Sequence, residues 1–169
     1  MMARQIEIKP MSNASASNNF LQPITTNTWT NGRHLLRCVK IIQETRYVRT
    51  FCLVAESPIM FFFKPGQFVT LEVEIDGEKH MRSYTISSSP SVPYSISISV
   101  KRVPEGRVSN WLHDNLKEGD GLAVHGPVGQ FNCIDFTGDK VLLLSGGIGI
   151  TPLMSMARWW FDTNSEPLT

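Results

Sequence analysis

The run Phe68-Val69-Thr70-Leu71-Glu72-Val73-Glu74-Ile75-Asp76-Gly77-Glu78-Lys79-His80-Met81-Arg82-Ser83-Tyr84-Thr85 decides the fold. Val69, Leu71, Val73 and Ile75 fall on every second position, with Phe68, Thr70, Glu72 and Glu74 between them, which is the period of a strand buried on one face. Asp76-Gly77 then supplies the positive-φ pair of a two-residue hairpin, so the chain must return antiparallel into the strand that carries Arg82. Working outward, Leu35 to Ile42 and Tyr47 to Val54 read as two strands around Gln43-Glu44-Thr45-Arg46. Lys64-Pro65-Gly66 is a turn. Ser95, Ser97 and Ser99 alternate with Ile96, Ile98 and Val100, and Leu122 to His125 is a further strand before the loop Gly126-Pro127-Val128-Gly129. Short strands separated by turn signals predict a mostly β fold, an antiparallel barrel. One helical pattern interrupts it: Val108, Trp111, Leu112 and Leu116 follow Gly106, and Gly119 is expected to stop the helix.

After Thr137-Gly138-Asp139 the period changes. Val141-Leu142-Leu143-Leu144 is a continuous apolar run, typical of a parallel strand buried on both faces. Gly146-Gly147-Ile148-Gly149-Ile150 leads into a helix with Thr151 suited to its N-cap and Pro152 to its first turn. Leu153, Met156, Ala157, Trp160 and Phe161 form its apolar stripe. This is the first β-loop-α unit of a nucleotide-binding sheet. A single unit cannot cover its own strand and stripe, so the chain is expected to be an N-terminal fragment of a longer protein, the alternative being a short protein whose last helix packs back on the barrel or on a partner. Three segments follow: an extension over 1–32 with the small polar tract Ser12 to Asn19, a barrel domain over 33–136, and the truncated start of a second domain over 137–169.

The bulk properties narrow the class. An apolar fraction of 41% and a charged fraction of 18% are those of a globular protein. A formal net charge of +1 gives no wholesale attraction to nucleic acid or to anionic membrane. Cys38, Cys52 and Cys133 are odd in number and widely spaced, against a disulfide framework, and no C-x-x-C pair suggests a metal site. Met1 to Met11 has charges and no apolar core, and Pro58 to Phe63 is too short to span a bilayer, so a cytoplasmic protein is expected.

Alternation puts Arg82 and Tyr84 on one strand face and Ser83 and Thr85 on the other. A guanidinium fork beside an aromatic face suits a ligand that is anionic at one end and flat at the other. Amides at the helix start by Gly106, with the Ser109 hydroxyl, can take phosphate oxygens, although Ser109 by itself reads as an N-cap. The loop from Gly146 reads equally as a phosphate-binding turn and as a tight turn needed for packing. His34, His80, His113 and His125 show no metal-ligand or triad spacing.

Taken together, R-S-Y-T-I-S-S, V-K-R, G-R-V-S at a helix start, G-P-V-G-Q-F and G-G-I-G-I-T-P, with K-P-G-Q-F before the hairpin, resemble the ferredoxin–NADP reductase superfamily in order and spacing from Leu35 to Phe161. Within it the chain is most similar to NADH-dependent reductases that serve iron–sulfur or oxygenase partners, the reductase of hybrid-cluster protein among them. The resemblance implies a six-stranded Greek-key barrel with one capping helix that binds FAD, followed by a Rossmann-like NAD(P)-binding domain. It implies an oxidoreductase that passes electrons from NADH or NADPH through FAD to an iron–sulfur or other metal-centre partner. Arg82 would bind the flavin pyrophosphate, with Ser83 beside it. Tyr84 would lie against the isoalloxazine, and Thr85 would sit at its reactive edge through a bend or a backbone contact. Ser99, Val100 and Lys101 would line the ribityl and adenine side. Gly106, Arg107, Val108 and Ser109 would complete the pyrophosphate site, favouring FAD over FMN. Gly146, Gly147, Gly149 and Thr151 would shape the nicotinamide cleft, with Ile148 standing where some relatives have Thr.

Overall fold

The computed structural model describes residues 28–57, 59–135 and 140–163. Six strands form: β1 (Gly32–Thr45), β2 (Val48–Ala55), β3 (Phe68–Ile75), β4 (Glu78–Thr85), β5 (Ile96–Lys101) and β6 (Gly121–Val128). Helix α1 (Arg107–Asp114) lies between β5 and β6, and helix α2 (Ile150–Thr163) follows a single 3-10 turn at Gly147–Gly149. The strands make one antiparallel sheet in the order β4-β3-β6-β1-β2-β5. Placing β6 between β1 and β3 is the Greek-key crossover, and it leaves β4 and β5 as the two edges.

The sheet curls until those edges meet. They touch at one bridge, Ile86 with Ile98, beside the Ser87 N–H donating to the Ser97 carbonyl at 2.7 Å. Period-two alternation fills the interior: Val69 and Leu71 of β3, Phe51 and Leu53 of β2, and Ile96 and Ile98 of β5 are each fully buried. Val108 and Leu112 of α1 plug one end of this core, and burial of side chains of this kind contributes about 1.5–3 kcal/mol apiece. Trp29 closes another part, its ring packing edge-on to Phe61 at 5.0 Å while its backbone N–H donates to the Met60 carbonyl at 2.9 Å.

Three local expectations are corrected. Helix α1 ends at Asp114, where the Asn115 N–H reaches the Trp111 carbonyl at 2.8 Å. Gly119 instead takes φ +100 in the following turn and donates to the Cys38 carbonyl. Thr151 does not cap α2: the 3-10 turn runs straight into the helix, and the Thr151 hydroxyl donates back to the Ile148 carbonyl at 3.1 Å. The run Val141 to Leu144 forms no strand, and Leu142 and Leu144 are 88% and 87% exposed. A parallel strand exists only through its neighbours, and no described strand lies beside it. The loop and helix of the expected β-loop-α unit are therefore formed without their strand. The polar tract Ser12 to Asn19 and the 136/137 boundary lie outside the described residues, and β1 begins at Gly32.

Helix α2 docks on the barrel by its small and polar side. The Ser155 hydroxyl donates to the Ser88 carbonyl at 2.7 Å, Arg158 Nη1 to the Ser87 carbonyl at 2.5 Å, and Met156 is buried. The Lys64-Pro65-Gly66 turn receives it. A Cβ on Gly66, at φ +105, would stand 2.4 Å from the Phe131 carbonyl oxygen and 2.6 Å from Met156 Cε. Lys64 pairs with Asp135 at 2.6 Å, which holds that carboxyl below the usual carboxylate range.

Candidate functional site

The barrel is a curled sheet whose two edges meet at one bridge and otherwise leave a seam. Continued from the Ile86–Ile98 bridge, antiparallel register sets Tyr84 across from Val100 and Arg82 across from Arg102, yet β4 and β5 do not pair there. Each edge strand thus keeps a free row of backbone groups along the seam.

On the β4 side, pairing with β3 fixes which side chains face it. Tyr84 stands opposite Val69 and Arg82 opposite Leu71, so both share the inward face with buried apolar residues. Tyr84 is half-buried against the core. Burial pushes its phenol up, against an opposing pull from the Arg82 charge. Arg82 is exposed, and its one hydrogen bond among the described residues runs from Nη1 to the adjacent Met81 carbonyl at 2.8 Å. Ser83 and Thr85 lie on the opposite face, where Ser83 Oγ pairs with Thr70 Oγ1 at 2.9 Å.

At the far end of the seam, α1 packs against β4, tied by Arg107 to Asp76 at 3.4 Å and Glu78 at 3.6 Å across the hairpin. No side chain caps the start of α1, so its first amides remain available to an anion. Gly106 keeps the approach open: a Cβ there would come within 2.4 Å of both Ser109 Oγ and Val103 Cγ2. Ser109 is buried and donates to the Gly106 carbonyl at 3.3 Å. Two buried nitrogens along the seam have no hydrogen-bond partner among the described residues, His80 Nε2 on β4 and Arg102 Nε just after β5. His80 Nε2 lies 3.7 Å from Glu78, beyond hydrogen-bond reach. An unpaired Arg102 N–H and an unpaired His80 ring nitrogen on the seam shared with the Arg82 guanidinium fit a ligand that carries phosphate.

Beyond the bridge, β5 turns Ser99 and Lys101 outward to a cleft of about 440 Å³ shared with Gly147, Ile148 and Thr151 at the start of α2. Glu44, Tyr47, Ser87, Met154 and Arg158 also line it. Of the residues expected to act together, the seam gathers Arg82, Tyr84 and the Gly106–Ser109 turn, and the cleft gathers Ser99, Lys101, Gly147 and Thr151. Val100 and Val108 are buried in the core, so only their backbone can reach a ligand. Gly146 and Gly149 stay beside the cleft without lining it. Sequence reasoning missed Glu44 and Arg158. Arg158 reaches the Ser87 carbonyl across 71 positions of chain, and no local pattern announces that contact. Among the described residues no helix is long and apolar enough to cross a membrane, and no cluster of His, Cys, Asp or Glu could hold a metal ion.

A curled antiparallel sheet with an unpaired, cation-lined seam and a glycine-opened helix start has the form of a nucleotide-binding barrel. The chain belongs to the oxidoreductase FAD-binding domain family, whose family profile matches residues 35–133. It is 78% identical over 150 residues to the glycine betaine monooxygenase reductase subunit of Pseudomonas aeruginosa strain UCBPP-PA14, covering 89% of this chain and 41% of that protein. It is 40% identical over 132 residues to the stachydrine N-demethylase reductase subunit of Rhizobium meliloti strain 1021, covering 78% and 37%. Among solved structures it resembles phthalate dioxygenase reductase, described as modular for electron transfer from pyridine nucleotides to 2Fe-2S, at TM-score 0.69 and 29% identity over 78% of this chain and 40% of that one. The chain thus spans about two fifths of the length of these curated relatives. Both curated relatives are named as reductase subunits, one of a monooxygenase and one of a demethylase.

Proposed function

We propose that this chain is the flavin-binding part of an NAD(P)H-dependent reductase that supplies an oxygenase partner with electrons through FAD. The observation that carries the reading is the unsewn seam, with Arg82 and Tyr84 on one edge and the open α1 start at its end. Arg82 and the first amides of α1 would hold the pyrophosphate, an arrangement that a mononucleotide flavin cannot use fully. Tyr84, fixed by its packing on the core, would present a ring face to the isoalloxazine. When bound, the flavin supplies the chemistry, taking two electrons as hydride from a nicotinamide and releasing them singly. Ser99 and Lys101 would line the ribityl and adenine side of the flavin, and Gly147 and Thr151, across the same cleft, would shape the approach of the nicotinamide. Thr85, turned away from Tyr84, would act through its backbone at the end of β4.

The acceptor in this reading is an iron–sulfur protein or domain, as the reductase relatives suggest. Work in the cytoplasm fits the three free cysteines, Cys38, Cys52 and Cys133. The test is an anaerobic titration of the FAD-loaded protein with NADH and with NADPH. Bleaching of the flavin bands by one of them is expected, and bands that persist with both would mean a flavin module without its nicotinamide half; failure to load FAD at all would refute the reading.

A further inference from the structure

Glu44 lies outside every motif considered above, yet it ends a chain of hydroxyls that leads into the cleft. Antiparallel pairing sets Thr50 of β2 opposite Ser99 of β5 on the outward face. Their hydroxyl oxygens are 2.7 Å apart. Thr50 Oγ1 is also 2.7 Å from Glu44 Oε1, Ser99 Oγ is 3.0 Å from Ser87 Oγ, and Ser87 Oγ is 3.2 Å from the Ser97 carbonyl oxygen. Four contacts are therefore served by three hydroxyl hydrogens, because a carboxylate can only accept.

Thr50 must give its one hydrogen to Glu44. Ser99 must then donate to Thr50, since Thr50 has nothing left to offer at 2.7 Å. Ser87 completes the shorter of its two contacts by donating to Ser99. The hydrogen of Ser99 is thus committed away from the cleft, and the cleft meets only the remaining lone pair on its oxygen.

We infer that Glu44 is a positioning residue: acting through Thr50, it holds Ser99 as a hydrogen-bond acceptor, so that the cleft selects a ligand group presenting an N–H or O–H donor. The inference rests on the flavin-nucleotide reading above, and in that reading the group belongs to bound FAD. The charged side chains that line the cleft with Glu44 are Lys101 and Arg158. Direct attraction between Glu44 and a ligand is the rival explanation, and it makes no use of Thr50.

A double-mutant cycle in FAD affinity separates the two. Glu44 is exposed, whereas Thr50 is buried though Thr50→Val keeps its shape, so cofactor-free melting curves of both variants are measured alongside to show that the barrel is intact. Glu44→Ala in the parent chain is expected to weaken FAD binding about 2- to 12-fold, the effect of one hydrogen bond. In a Thr50→Val background the same change should have no effect, because the messenger hydroxyl is gone. Thr50→Ser, which retains the hydroxyl, should bind FAD as the parent does. Unchanged affinity in Glu44→Ala, or an equal loss in both backgrounds, would overturn the inference while leaving the flavin reading intact. A parent chain that binds no FAD would instead remove that reading, and this inference with it.

Discussion

Replacing Arg82 by alanine separates a binding role from a structural one. The guanidinium is exposed, and among the described residues its hydrogen bonding is limited to its neighbour's carbonyl, Met81, at 2.8 Å. Removing it therefore costs the free protein almost nothing, and thermal unfolding without cofactor should be unchanged within the scatter typical of surface substitutions, about 0.5 kcal/mol. With FAD the balance differs. A hydrogen bond to a charged group is worth about 1.5–3 kcal/mol, so losing one contact to pyrophosphate should weaken binding roughly 10- to 150-fold. Arg82→Lys should recover only part, because an ammonium keeps the charge and loses the planar fork. Isothermal titration of the three proteins with FAD, alongside their cofactor-free melting curves, measures both quantities. Equal FAD affinity in Arg82→Ala would refute the assignment, and so would a loss matched by an equally destabilised free protein.

Other substitutions test neighbouring parts of the account. Ser109→Ala should weaken FAD binding by about 0.5–1.5 kcal/mol, the range for one hydrogen bond, and titration would reveal a parent-like affinity if Ser109 only packs. Gly66→Ala combines a left-handed backbone, about 1–2 kcal/mol, with crowding against the Phe131 carbonyl and Met156, about 1–3 kcal/mol more. Its urea midpoint should fall accordingly. Glu72 is held down to about 2 from 4.5, first by Arg33, then by His125 and Lys79. A depressed carboxyl stabilises the fold above its unfolded value and loses that contribution as pH falls through the folded one. Glu72→Gln should therefore melt below the parent at neutral pH, with the gap closing between pH about 4.5 and about 2; a gap independent of pH would contradict the ion cluster.

The barrel was legible because strand alternation is a local signal. Val69, Leu71 and Val73 announce a buried face whatever lies beside them, and Asp76-Gly77 announces the hairpin between β3 and β4. The face shared by Arg82 and Tyr84 followed from the same period. What sequence could not supply were properties conferred by neighbours. Leu142 and Leu144 have the composition of a buried strand and become one only when another strand pairs with them. Thr151 has the chemistry of a cap, but the preceding 3-10 turn had already started the helix. Glu44 and Thr50 enter the cleft story through Ser99, 49 positions from Thr50, and a pattern confined to neighbouring residues carries no trace of that meeting. Val100 shows the converse: the alternation that exposes Ser99 also buries Val100, so its backbone rather than its side chain faces the cofactor side.

The most direct test of the central claim is the absorbance spectrum of the purified chain after incubation with FAD and removal of free ligand by gel filtration. The account predicts flavin bands that travel with the protein at about one equivalent, retained better with FAD than with FMN. A colourless protein with all the flavin in the small-molecule fraction would contradict it.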